Sequence, residues 1–90
     1  MTQTIPIYDK NPNMLVPYYL MHSYIYYVMG ENIIKDTEYD RICNMLYKKW
    51  DKVDHFHKHL CNKESLIAGT GYDLVYPERV KSAAIKLMET

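Results

Sequence analysis

Residues 22–46 read HSYIYYVMGENIIKDTEYDRICNML and hold two helical patterns on either side of a short break. Apolar and aromatic residues recur at helical spacings before Gly30, and a second pattern begins at Asp36. Tyrosines and carboxylates crowd the break from both sides. The stretch therefore predicts two helices that meet in a tight connection, with an aromatic and acidic pocket between their ends.

The first helix is predicted to begin near Pro17, which suits a first turn because its missing N–H would be unpaired there anyway. Gly30 suits a left-handed cap after an end near Met29. Two stripes run along this helix at spacings of three and four. The first contains Tyr18, Met21, Ile25 and Val28, and the second contains His22, Tyr26 and Met29 with Tyr19 beside it. One stripe belongs to the core, and the other is left to face a ligand or a partner.

The second helix is predicted to start at Asp36, a suitable N-cap, with Glu38 favourably placed in the first turn. Apolar residues then recur every seven residues from Tyr39 to Leu60. The repeat predicts one helix of up to about 26 residues, or about 39 Å at 1.5 Å per residue. A break near Asp51 or Asp54 is the alternative. Two helices joined by a short connection form an antiparallel hairpin.

The rest of the chain completes a single all-α domain. Residues 1–14 are predicted to be an extended arm because they contain prolines and a short polar turn sequence, Asn11-Pro12-Asn13. Residues 62–76 lose the helical period and are predicted to be a structured loop, in which 66–68 and 74–76 pair as a short hairpin. The last helix starts at Pro77. Its predicted buried face consists of Val80, Ala83, Ala84, Leu87 and Met88.

The composition limits the classes of partner. Eleven basic and eleven acidic residues cancel, so a dedicated nucleic-acid binder is not expected. Ten tyrosines among 90 residues indicate a wet interface or pocket as well as a core, because a buried phenol needs a hydrogen-bond partner. No apolar run of about 18 residues is present for a membrane span, and no signal peptide precedes the domain. A cytoplasmic location is expected.

The two cysteines are interpreted as reduced thiols. Cys43 and Cys61 fall in the same predicted helix, eighteen residues and therefore about 27 Å apart, which excludes a bridge between them. Two cysteines are also too few to staple a domain of this size, so a reducing compartment is favoured.

The acids and tyrosines at the helical bend suit a flat cation. Asp36 and Asp40 are four residues apart and project from one side of a helix, with Tyr39 bordering the same groove. Tyr26 lies one turn from the end of the preceding helix and is placed to oppose Tyr39. Aromatic faces attract a cation by about 0.5–2 kcal/mol, and carboxylates add charge-assisted hydrogen bonds. The alternative is purely structural: Asp36 as a cap, Asp40 as a surface charge and the tyrosines as core.

The run Tyr24–Met29, followed after six residues by Asp36–Arg41 (DTEYDR), resembles the N-terminal Ia domain of bacterial NAD-dependent DNA ligases. In that family a tyrosine-rich helix, a short loop and a D-x-E-Y-D motif form a small helical unit. The unit grips the nicotinamide mononucleotide (NMN) half of NAD during adenylation of the catalytic lysine. The resemblance covers residues 20–47, about a third of the chain.

The resemblance implies a ligand site for NAD or NMN. Tyr26 and Tyr39 would sandwich the nicotinamide ring, and Asp36 and Asp40 would bind its amide and the ribose. Two features depart from the family pattern: Tyr27 stands where a histidine is common, and the loop lacks the usual proline. The predicted ligand-binding residues are Tyr26, Tyr27, Asp36, Tyr39, Asp40 and His22.

The catalytic parts of a ligase do not accompany this motif. The sequence has no lysine in a K-x-D-G setting, so it predicts a non-catalytic binding module with no required cofactor, or an accessory subunit of a separate catalytic core. The alternative is a regulatory protein–protein interaction module, such as a phage protein that binds or inhibits a host protein. Tyrosine is enriched at interface hot spots, which favours this second hypothesis.

Three other patterns are interpreted as structural. His55 and His59 would share a helix face, but two histidines with Asp51 make an incomplete metal site, and none is predicted. A mildly basic strip that includes Lys48 is diluted by acids and is expected to be solvated. The run 69–71 (GTG) lacks the strand, lysine and helix start of a phosphate-binding loop, so a turn is predicted.

Overall fold

The computed structural model describes residues 7–71 and 74–89, and all regular elements within these ranges are helical, which confirms the all-α fold. The helices are α1 (Ile7–Lys10), α2 (Leu15–Tyr27), α3 (Asp36–Lys48), α4 (Lys63–Ala68) and α5 (Glu78–Glu89). Two 3-10 turns, Pro12–Met14 and Lys58–Leu60, precede α2 and α4. No helix within the described ranges combines the length and the apolar character that a membrane span requires.

Helix α2 is central because it is buried on almost every side. It packs against α3 and α5, and its buried residues do not follow a single stripe. They are Leu15, Val16, Tyr19, Leu20, Met21, His22, Ser23 and Ile25. Both ends lie two residues earlier than predicted. Val28, the last member of the first predicted stripe, follows the last helical residue and is 57% exposed.

Helix α3 ends at Lys48, so its predicted extension towards residue 61 is wrong. The chain turns back instead: Nζ of Lys58 donates to the carbonyl oxygen of Trp50 at 2.5 Å and lies 4.7 Å from the centre of the Trp50 ring. In a continuous helix these two residues would be about 12 Å apart along the axis. Val53 and Leu60 still pack in the core, but from turns. Their seven-residue spacing therefore marks burial and not helix.

The end of α3 at Lys48 also removes the predicted separation of the cysteines. Cys43 and Cys61 belong to one buried cluster, and both thiols are free. The helical distance of about 27 Å between them does not apply, since Cys61 lies beyond the turn. Burial raises the pKa of each thiol to about 12. Both groups therefore stay protonated in the folded protein at neutral pH.

The predicted extended arm is wrong for residues 7–14, which form α1 and a 3-10 turn, while residues 1–6 lie outside the described ranges. The turn is capped by Asn11, whose Oδ1 accepts a hydrogen bond from the N–H of Asn13 at 3.2 Å. Pro12 suits the first position of such a turn. Tyr8 on α1 is buried, which attaches this segment to the core.

The predicted hairpin between 66–68 and 74–76 is also wrong. Residues 63–68 form α4, because Asn62 Oδ1 accepts the N–H of Ser65 at 2.8 Å and Gly69 ends the helix at φ 69°. Residues 74–76 adopt no regular structure, and residues 72 and 73 lie outside the description.

Helix α5 follows Pro77 as predicted. Val80 and Ala84 are its buried residues, and Ala83, Leu87 and Met88 pack half-buried against the core. The predicted buried face is therefore the face that meets the rest of the domain, where α5 packs on α2.

Candidate functional site

A cavity of about 270 Å³ opens where the end of α2, the 28–35 connection and the start of α3 meet. The six residues predicted to bind a ligand all line it: His22, Tyr26, Tyr27, Asp36, Tyr39 and Asp40. The remaining lining residues are Ile25, Glu31, Asn32, Ile33, Ile34 and Gly69. The helical bend in the sequence thus forms a concave site.

The start of α3 turns its motif residues to different sides. Asp36, Tyr39 and Asp40 follow the spacing i, i+3, i+4 and so share one face, which lines the cavity. Glu38 and Arg41 point towards α1, where their partners lie. The motif therefore divides its polar residues between a side that faces the cavity and a side that faces α1.

Asp36 is not the N-cap that the sequence predicts. Lys35 holds that position, with an extended backbone and no side-chain cap, and its carbonyl accepts the N–H groups of Glu38 and Tyr39 at 3.0 Å. Asp36 is the first helical residue, where a carboxylate is favoured by the helix dipole. Because its side chain does not cap the helix, its carboxylate lies at the cavity.

Arg41 and Glu38 fasten α3 to α1. Arg41 donates from Nε and Nη2 to the Glu38 carboxylate at 3.0 and 2.8 Å, and from Nη1 and Nη2 to Asp9 at 2.9 and 3.2 Å. The Tyr8 hydroxyl also donates to Glu38. Hydrogen bonds from the Arg41 guanidinium hold the pKa of Glu38 below its usual range. These contacts fix the rotation of α3 about its axis and so keep Asp36 and Asp40 facing the cavity.

Tyr39 contributes ring surface to the site. Its hydroxyl lies 2.6 Å from Oγ of Ser23 on α2, and its ring centre lies 6.1 Å from that of Tyr19. Burial raises the pKa of Tyr39, so the hydroxyl is neutral at physiological pH. The phenol is thereby fixed against α2, and the part of its ring that lines the cavity is apolar.

Tyr26 and Tyr27 form the exposed aromatic wall. Their rings meet edge to face, with centres 4.8 Å apart and planes at 89°. The Tyr27 hydroxyl accepts a hydrogen bond from Thr70 Oγ1 at 3.0 Å, which ties this wall to the loop after α4. Tyr26 is 50% exposed, the higher of the two values. A ring face is therefore available to a ligand without rearrangement of the core.

His22 is a buried polar group at the base of the cavity. The side chain is 7% exposed, and its ring tilts against Tyr18 with centres 6.1 Å apart. Burial lowers the pKa of His22 despite the nearby Glu38 carboxylate, so the imidazole is neutral at pH 7. Within residues 7–71 and 74–89 it has no hydrogen-bond partner. A neutral imidazole offers a ligand one donor and one acceptor.

Three carboxylates border the cavity, one of them missed by the sequence analysis. Asp36 and Asp40 make no hydrogen bond or ion pair through their side chains with any described residue. Glu31 joins them because Gly30, at φ 72°, turns the chain so that the Glu31 N–H donates to the Ile25 carbonyl at 3.0 Å. The sequence signal for Glu31 was its position directly after Gly30, a glycine that caps a helix.

The loop at 69–71 closes one side of the site. The Tyr19 hydroxyl donates to the Thr70 carbonyl at 2.6 Å, and the Tyr76 hydroxyl donates to the Gly71 carbonyl at 2.5 Å. A Cβ at Gly69 would lie 3.1 Å from Oδ1 of Asp40, so a glycine here leaves room for that carboxylate. The predicted turn is confirmed, and it also lines the cavity.

Gly71→Ala is expected to destabilise the fold by about 1–3 kcal/mol, the usual cost of overpacking a filled site. The added Cβ would clash with Ser23 Oγ, lie 2.8 Å from Ser23 Cβ and lie 3.0 Å from the Tyr39 hydroxyl. Urea unfolding followed by circular dichroism measures the loss. Gly30→Ala is the comparison: no atom lies within 4 Å of its Cβ, so only its positive φ costs about 1 kcal/mol. A Gly71→Ala variant as stable as the wild type would contradict the packing described for Gly71.

The histidines after α3 do not form the predicted helical face. His55 stacks on Phe56 with ring centres 4.7 Å apart, and Phe56 lies 4.1 Å from His57. No cluster of three or more histidines, cysteines or acids suited to a metal occurs in the described part of the chain. The basic strip predicted along α3 is interrupted as well, since Lys58 folds onto Trp50.

Comparison of the chain with protein-family models, with curated proteins and with solved structures gave no match. The resemblance to the ligase Ia domain therefore rests on the sequence of residues 24–29 and 36–41 alone.

Proposed function

We propose that this chain is a non-catalytic binding module whose cavity holds the nicotinamide mononucleotide part of NAD. The observation that carries the proposal is the meeting of Asp36 and Asp40, unpaired among the described residues, with three tyrosine rings around one cavity. Unpaired acids beside aromatic faces form a site for a flat cation, and oxidised nicotinamide is a pyridinium ring with a carboxamide.

The size of the cavity supports a ligand of one ring and one sugar. Its volume of about 270 Å³ is just below the range of about 300–1,000 Å³ typical of pockets for drug-sized ligands. The nicotinamide and ribose fit this scale, and a whole dinucleotide does not. We therefore propose that the adenosine half of NAD lies outside the cavity.

Each wall of the cavity has a role in the proposed complex. Tyr26 and Tyr39 hold the faces of the pyridinium ring, a contact worth about 0.5–2 kcal/mol. Asp36 and Asp40 accept hydrogen bonds from the ligand amide and ribose hydroxyls. His22, neutral and without a partner among the described residues, supplies a further donor or acceptor at the base.

Calorimetric titration with oxidised NMN tests the proposal, with reduced NMN as the matched ligand. The reduced ring has nearly the same shape but no positive charge, so we expect its affinity to be about tenfold lower once the cation–π contact is lost. Oxidised NMN is expected to bind with a dissociation constant below about 1 mM. Absence of heat with the oxidised form at millimolar concentration, or equal affinity for both forms, would contradict the proposal.

We also propose that the module acts in the cytoplasm, possesses no catalytic activity alone, and serves as an accessory subunit where a separate catalytic core is present. Two buried free thiols suit a reducing compartment. Production of the chain with and without a ligase core lacking its own Ia domain tests the subunit role, since adenylation by NAD would require both polypeptides.

A second candidate function, a regulatory protein–protein interaction of the phage type, is favoured by apolar exposure beside the cavity. Val28, Met29 and Ile33 are 57%, 37% and 42% exposed. Val28→Lys is expected to abolish retention of a stoichiometric partner, and Val75→Lys, at another exposed site, to preserve it. If NMN displaces the partner, the partner binds at the same cavity. If the complex is unchanged by NMN, the protein contact and the ligand site are separate.

A further inference from the structure

The charge of the cavity is strongly asymmetric. Glu31, Asp36 and Asp40 line it, and none of its twelve lining residues is a lysine or an arginine. Lys35 adjoins Asp36 in the chain but is exposed and is not a lining residue. The N-terminus of α3 adds about half a positive charge, which is small against three carboxylates.

The cavity is nevertheless built to hold a polar ligand. His22 lies at its base, 7% exposed and without a hydrogen-bond partner among the described residues. No enclosed side-chain nitrogen or oxygen of the described residues lacks a partner, so the His22 nitrogens are open to the cavity, where a ligand can hydrogen-bond to them. The site therefore combines a buried polar contact for the ligand with a field that favours cations.

We propose that the cavity selects phosphate-free pyridinium nucleosides, of which nicotinamide riboside is the simplest, over the corresponding nucleotides. This inference rests on the proposed function, because both assign the pyridinium ring to the same cavity. The ring and the ribose occupy it in both ligands, and the 5′-phosphate adds negative charge beside three carboxylates, with no lysine or arginine among the lining residues to offset it.

Electrostatics sets the expected preference and its dependence on salt. With one Debye length, about 8 Å, taken as the separation from the three carboxylates, a phosphate of charge about −1.5 to −2 lowers affinity about fivefold at 0.15 M salt, and by tens of fold at 0.02 M. The riboside is a net cation, so salt weakens its attraction to the cavity. NMN carries net negative charge, so salt weakens its repulsion. The two ligands are therefore expected to respond to salt in opposite directions.

The test is calorimetric titration of the full chain with nicotinamide riboside and with NMN, each at about 0.02 and 0.15 M salt. The inference predicts tighter binding of the riboside at both salts and opposite salt slopes. Equal or tighter binding of NMN at both salts would overturn the inference and leave the proposed function standing. Failure of both ligands to bind would overturn both.

Charge reversal at the cavity rim provides the variant test. Glu31→Lys is expected to reduce or reverse the preference for the riboside, because it places a cation where the phosphate lies. Asp51→Lys is the matched control: it makes the same charge change beyond the far end of α3, about 18 Å from Asp36 along the helix axis. Identical ligand preferences in both variants would contradict the inference, since net charge alone would then explain the effect.

Discussion

The double variant Asp36→Asn/Asp40→Asn is expected to bind oxidised NMN at least about 30-fold more weakly than the wild type, because each change replaces a charge-assisted contact of about 1.5–3 kcal/mol by a neutral one of about 0.5–1.5 kcal/mol. Asparagine keeps the shape of both side chains and removes both charges. Neither carboxylate has a partner among the described residues. Their replacement therefore breaks no contact within the described protein, and the lost affinity is due to lost contacts with the ligand. Calorimetry at fixed salt measures the change in dissociation constant.

Asp51→Asn/Asp54→Asn is the matched control for this variant. These acids are exposed in the turn beyond α3, outside the cavity lining, and their replacement alters net charge by the same amount. The loss of Asp36 from the first turn of α3 costs about 0.3–1 kcal/mol of helix stability, which circular dichroism separates from a binding defect. Equal loss of affinity in both double variants would contradict a specific role for Asp36 and Asp40.

The protein is expected to lose stability steeply above pH 9. Burial raises the pKa of Cys43 and of Cys61 to about 12, against about 8.5 for an unfolded thiol. Between these values the unfolded chain binds fewer protons than the folded one, so the free energy of unfolding falls as pH rises. The slope is up to about 1.4 kcal/mol per pH unit for each thiol. The raised pKa values of Tyr19 and Tyr39 extend the loss above pH 10.

Urea unfolding at pH 8, 9 and 10, followed by far-ultraviolet circular dichroism, measures this slope. Cys43→Ala/Cys61→Ala is the control, and we expect it to be less stable at pH 8 because of the lost packing. Its stability should nevertheless fall more slowly between pH 8 and pH 10. Parallel curves for the wild type and the double variant would show that the thiols do not carry the alkaline effect.

The sequence predicts which residues line the cavity better than it predicts the structure of the chain around them. The starts of α3 and α5 are predicted to within one residue from Asp36 and Pro77, because local charge and backbone preferences determine both, although Lys35 and not Asp36 is the N-cap. The spacing of Asp36, Tyr39 and Asp40 then requires a shared face as soon as α3 is helical. These residues meet Tyr26 because the connection between the helices is short.

The errors arise where tertiary contacts override local pattern. The seven-residue repeat through Val53 and Leu60 continues past the end of α3, since both residues are drawn into the core from turns. The Asn62 cap and the Gly69 terminator of α4 are short-range signals within a segment whose apolar period is weak. Glu31 was missed because its approach to the cavity depends on the turn at Gly30.

The most direct test of the central claim is amide chemical-shift mapping of the labelled protein during titration with oxidised NMN. The largest shifts are expected on residues 22, 25–27, 31–34, 36, 39, 40 and 69, which line the cavity, with small shifts along α5. Shifts centred elsewhere, for example on His57 and Arg79, or no shifts at millimolar ligand, would contradict it.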